Sequence, residues 1–133
     1  MSGVIVSRQS TISLIESQAL FAFHFQRLLE FLHNPIQFPD IIVVMGEGFV
    51  GLSIDADEDS PHLRTGAHFR KMANDLDLYR RLPDGTLEWL SNADPVWDKA
   101  GAFWKSLDPA NRWGGDFKSR DYNHFSRFHG GTA

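Results

Sequence analysis

The tetrapeptide Pro83-Asp84-Gly85-Thr86 constrains this chain more than any other short feature. It is flanked by an alternating stretch, Asn74 to Tyr79, and an apolar one, Leu87 to Leu90. Proline sets the φ of a turn's second residue and glycine accepts positive φ, so the four residues fold the second stretch back on the first. Strands joined by so short a link must run antiparallel. A helix precedes them. Leu14, Phe21, Phe25, Leu28 and Leu32 recur at helical intervals, with Ala22 and Leu29 widening the stripe, and this predicts a helix between Ser13 and Asn34 packed on one face. Ser13 and Glu16 fit a capping box and Asn34-Pro35 supplies the stop. Ile41 to Met45 is short and β-branched, as in a buried strand, and Gly46, Gly48 and Gly51 break it.

A second helix starts at Asp94-Pro95, an N-cap followed by proline at the first helical position, and ends at Asp108-Pro109. Val96, Ala100, Phe103, Trp104 and Leu107 form its buried stripe. The segment from Trp113 to Phe128 reads as a loop followed by a short strand containing Asn123-His124-Phe125, and Asp55 to Arg64 as a polar surface loop. Hairpin links with two single helices do not give the alternation of a parallel sheet. The expectation is one α+β domain over residues 1–133, with both helices packed on a small antiparallel sheet.

Composition narrows the function. The 13 Lys and Arg against 17 Asp and Glu give a net charge of −4, so no overall positive field draws the chain to nucleic acid or an anionic membrane. There is no cysteine, which excludes disulfides, thiol catalysis and Cys-ligated zinc. A metal site must then use His, Asp and Glu. The N-terminus lacks the pattern of a secretory signal and no apolar run approaches the roughly 20 residues that cross a bilayer, so synthesis in the cytoplasm without membrane insertion is expected.

Six histidines are available. His24 and His33 lie on the first helix and read as structural, and His129 reads as a surface residue beside the Gly130-Gly131 tail. His68 precedes Asp75 by seven residues, and Asp121 precedes His124 by three. An imidazole is a good zinc ligand, and three ligands, His68, Asp75 and His124, leave the fourth tetrahedral position open, as in catalytic zinc. Trp113-Gly114-Gly115 fits either a groove for a glycan or peptide, or a tight turn holding a core tryptophan.

Gly66 to Leu78, Phe103-Trp104, Arg112 to Phe117 and Asp121 to Phe125 resemble the zinc peptidases of the D-alanyl-D-alanine carboxypeptidase (VanY-like) and L-alanyl-D-glutamate endopeptidase family, peptidoglycan-cutting enzymes that include many phage endolysins. The family pattern is Ser-x-His, six residues, Asp, and later Glu or Asp-x-x-His. Gln18 to Phe31 resembles its opening helix and Gly46 to Phe49 its next turn. The resemblance implies a hedgehog/D-Ala-D-Ala peptidase-like fold, zinc held by His68, Asp75 and His124, and Asp121 as general base. It also implies a monomer that acts on the stem peptide of the host cell wall after release, cutting the L-alanyl-D-glutamate bond. Its alternatives are a D-alanyl-D-alanine carboxypeptidase and a non-catalytic, zinc-binding wall-binding relative.

Three positions depart from the pattern. Gly66 replaces the serine before the first ligand. The rival Ser60-Pro61-His62 has Phe69 seven residues after its histidine, which cannot bind zinc. Val50 stands where many relatives carry an oxyanion-stabilising arginine, whose role then falls to Arg64, Arg70 or Lys71.

Overall fold

The computed structural model describes residues 12–45 and 72–130. These form an α+β architecture of two helices, α1 (Leu14–Leu32) and α2 (Pro95–Leu107), packed on a five-stranded antiparallel sheet. The strands are β1 (Ile41–Met45), β2 (Ala73–Arg81), β3 (Leu87–Trp89), β4 (Asn111–Trp113) and β5 (His124–Arg127). The sheet runs β1-β2-β5-β4, and β3 pairs with the C-terminal end of β2.

Local chemistry accounts for the helix starts. The Glu16 N–H donates to Ser13 Oγ at 3.1 Å and the Ser13 N–H to Glu16 Oε1 at 3.4 Å, the reciprocal pair of a capping box. Asp94 Oδ1 accepts from the Val96 N–H at 3.0 Å, with Pro95 in the first turn. Arg80 of β2 donates to Asp94 Oδ2 at 2.8 Å, so the start of α2 is tied to the sheet. In the hairpin, Asp84 Oδ1 accepts from the Thr86 N–H at 2.9 Å and Gly85 takes a φ of +88°.

Alternation along β2 sorts its side chains. Leu76 and Leu78 are fully buried and face the helices, in one cluster with Phe25, Leu28, Trp97 and Trp104. Asp75, Asp77 and Tyr79 take the opposite face.

Several expectations are corrected. β1 is not fully buried: Val44 is 44% exposed, and among the described residues the strand pairs with β2 on one side only. Ala22 is exposed and does not widen the core stripe of α1; Ser17 and His24 are buried instead, because the centre of the buried face runs through Phe21, Phe25 and Leu28. The segment before the last strand is not simply loop: β4 pairs Trp113 with Phe125 and Asn111 with Arg127, and Gly114–Asp116 is a 3-10 turn. Asn123 precedes β5 rather than lying in it. The breaks at Gly46, Gly48 and Gly51 and the loop Asp55 to Arg64 lie outside the described residues. Among the described residues no helix is long and apolar enough to cross a membrane.

Candidate metal centre

Asp75 and His124 are cross-strand partners in the β2–β5 ladder, so their side chains stand on the same face of the sheet. Asp75 Oδ1 lies 3.5 Å from His124 Nδ1. Asp121 joins them from the turn before β5: the three side chains each offer a ligand atom, all within 4.8 Å of one another. The His124 side chain is 8% exposed, Asp75 is half-buried and Asp121 is exposed, which leaves the cluster open to solvent on the Asp121 side.

The turn is held by its backbone. The Asp121 carbonyl accepts from the His124 N–H at 3.1 Å, and the Asp121 N–H donates to the Gly114 carbonyl at 2.8 Å. The Leu76 N–H donates to the Asn123 carbonyl at 3.0 Å, and Trp113 Nε1 to the Tyr122 carbonyl at 2.8 Å. Four bonds thus fix four residues, and His124 and Asp121 leave the turn in set directions. Phe117 packs against the His124 ring, with centroids 5.4 Å apart, and covers one side of it.

Trp113, Gly114 and Gly115 take the role of a tight turn with a core tryptophan. The indole is buried, and a Cβ on either Gly101 or Gly115 would collide with it. Gly114 serves the cluster directly. A Cβ there would collide with the Asp121 carbonyl oxygen and lie 2.9 Å from His124 Cβ.

The donor set suits a metal ion. Ligands about 2.1 Å from a tetrahedral ion stand about 3.4 Å apart, close to the Asp75–His124 separation, and the rotatable Asp121 carboxylate has the reach to close the third side. Two carboxylates and an imidazole accept several first-row divalent ions, so the group defines a metal-capable site without selecting the element.

Of the residues expected from sequence, Asp75, Asp121 and His124 are brought together. His68, Arg64, Arg70, Lys71 and Val50 lie outside the described residues. His33 caps α1, its Nδ1 2.7 Å from the Leu29 carbonyl. His24 is buried against Trp104, and burial pushes its imidazole below the usual range, with Arg127 and Arg27 acting in the same direction and Asp108 against it. His129 is not a simple surface residue: it is half-buried, with Nδ1 2.9 Å from Ser17 Oγ.

Sequence reasoning missed the supports, Gly114, Phe117 and the Trp113 indole N–H. Alternation along Asn74 to Tyr79 could have put Asp75, Asp77 and Tyr79 on one face, but no sequence pattern marks a glycine made necessary by the packing of the following turn against it. Neither models of known protein families nor curated proteins give a match to this chain.

Proposed function

We propose that the protein is a zinc-dependent peptidoglycan peptidase of the endolysin type, hydrolysing the L-alanyl-D-glutamate bond of the stem peptide. The observation that carries the reading is the convergence of Asp75 with the distant pair Asp121 and His124, which has the carboxylate-x-x-His arrangement of the resemblance. Asp75 and His124 would hold the ion together with His68. A zinc ion bound there would polarise the scissile carbonyl and acidify water.

Asp121 is the proton carrier in this reading. It is the exposed member of the three, and its backbone is fixed at both ends while its carboxylate faces the shared space. An ionised carboxylate takes a proton from the attacking water as the carbon–oxygen bond forms. It returns that proton to the departing amine as the carbon–nitrogen bond breaks. Phe117 helps keep the His124 ring in one orientation and limits water on that side. The cation that answers charge on the carbonyl oxygen is assigned to Arg64, Arg70 or Lys71.

Asp121→Asn tests the division of labour. The amide is nearly isosteric, so zinc content and melting temperature are expected to stay at the parent's values while turnover of purified muropeptides falls about 10²–10⁴-fold. Zinc loss would make Asp121 a ligand, and parental turnover would remove it from the chemistry. Mass spectrometry of the same digests identifies the bond: new D-glutamyl N-termini mean endopeptidase, loss of one D-alanine means carboxypeptidase, and unchanged muropeptides mean a binding protein.

A further inference from the structure

The buried stripe of α1 is apolar except at Ser17 and His24. Both border a polar junction where α1 meets the end of α2 and the end of β5. Ser17 Oγ lies 2.9 Å from His129 Nδ1 and accepts from Arg127 Nε at 3.5 Å, and the buried Arg127 guanidinium pairs with Asp108 at 3.0 Å. The same Asp108 oxygen accepts from the Ala110 N–H at 2.8 Å, so it is already committed. Among the described residues the charges facing His24 are Arg27 of α1, Asp108 at the end of α2 and Arg127 of β5, and His129 reaches the junction through Ser17.

His24 itself is 8% exposed, its ring lies edge-on to Trp104 with centroids 6.5 Å apart, and its Nδ1 has no hydrogen-bond partner among the described residues. A phenylalanine would make the same contact with Trp104 and bury no polar atom. What the imidazole adds is the ability to titrate. Protonation would place an N–H on Nδ1 with no acceptor, and a third positive charge beside Arg27 and Arg127 with one carboxylate between them. We infer that His24 is an acid-sensitive latch: neutral, it lets the first half of α1 close on Arg127 and the end of α2, and protonated, it loosens that half from β5. Arg127 ends the strand that His124 begins, so the latch bears on the strand that carries the metal-capable cluster. Burial lowers the His24 pKa from its ordinary value of 6.5, with Arg127 and Arg27 acting in the same direction and Asp108 against it. The folded chain binds this proton less readily than the unfolded one, so the stability is fully present above about pH 6.5 and is lost as pH falls from there through the lower folded value.

The test compares the whole chain with its His24→Phe variant between about pH 7.5 and about pH 5. The melting temperature of the parent is expected to fall by at least about 4 °C more than that of the variant. The Arg127 and Phe128 amides, which donate to the Met72 and Ala110 carbonyls, report on the junction directly. Their hydrogen exchange, corrected for the intrinsic effect of pH, is expected to quicken in the parent alone. Every other histidine is common to both proteins, so the difference between them isolates His24. Equal pH dependence of melting and exchange in the two proteins overturns the latch. Should His24→Phe fail to fold, nuclear magnetic resonance of the His24 ring in the parent decides the matter. A titration midpoint below 6.5, with amide protection lost from the first half of α1 over the same pH range, supports the latch. A midpoint at or above 6.5, or titration with protection unchanged, overturns it.

Discussion

Gly85 and Gly114 both sit where the chain reverses, yet glycine is needed at each for a different reason. At Gly85 the backbone takes a φ of +88°, and a Cβ would meet nothing within 4 Å. The demand is conformational and is generated by four neighbouring residues, with Asp84 accepting from Thr86. At Gly114 no positive φ occurs; the space for a side chain is taken by the Asp121 backbone and by His124 Cβ. The first glycine permits a turn, and the second permits two turns to touch. Only the second bears on the metal-capable cluster, because the residues it accommodates are the cluster itself.

The sharpest way to break this contrast is Gly114→Ala. The added methyl meets backbone, which cannot rotate away, so the Asp121–His124 turn must shift or the 3-10 turn must unwind. A stability loss of about 3 kcal/mol is expected, at the upper end of overpacking costs, with divalent-ion affinity weakened at least about tenfold. Chemical denaturation and calorimetric titration with zinc measure the two effects. Stability and zinc affinity both near the parent's values would show that the packing at Gly114 is dispensable.

Asp94 lies between the two extremes, since it makes one local bond to Val96 and one long-range ion pair with Arg80. Asp94→Ala is expected to cost about 1–2 kcal/mol at neutral pH, the usual range for a helix N-cap. The Arg80 hydrogen bond holds the Asp94 carboxyl below its ordinary value of 3.8, helped by the Val96 N–H and opposed by burial. The folded state therefore binds this proton less readily than the unfolded chain. Its contribution is fully present above about pH 3.8 and is lost as pH falls from there through the lower folded value. Melting curves of parent and variant taken from pH 6 down to pH 2 are expected to draw together in that acid window; a constant gap would show that the ionised pair contributes nothing beyond the cap.

Gly85→Ala is the smallest of the three. With open space around it, the substitution carries only the left-handed backbone penalty, about 1 kcal/mol, and metal affinity is expected to be unchanged. A larger loss, or any effect on the metal, would mean that the hairpin and the cluster are coupled through β2 and would erase the distinction between the two turns.

The same division separates what was legible in the sequence from what was not. The capping box at Ser13 and Glu16, the Asp94-Pro95 start and the Pro83–Thr86 turn were readable because each rests on atoms within a few residues. β4 was not readable, since Asn111 to Trp113 has too few residues to show a period and is a strand through pairing with β5. Ile41 to Met45 reads as a buried strand, yet Val44 is exposed, because an apolar β-branched run reports β structure and not which of its faces is covered. For the metal-capable cluster, sequence supplied Asp75, Asp121 and His124 as candidates, while their meeting point depended on the β2–β5 register.

Sequence by itself determined the elements whose signals are local: two capped amphipathic helices, a hairpin, the α+β class, and the chemistry confined to His and carboxylate donors by the absence of cysteine. Tertiary structure decided the order of the described strands, why Trp113 needs glycine at positions 101 and 115, and that the Asp75 and Asp121 carboxylates share one space with the His124 imidazole. The physical reason is range. Caps, turns and side-chain periods act over a few residues, whereas the β2–β5 register joins positions more than forty residues apart, and the steric exclusions at Trp113 and Gly114 depend on how separate turns and elements pack, which local sequence patterns do not encode.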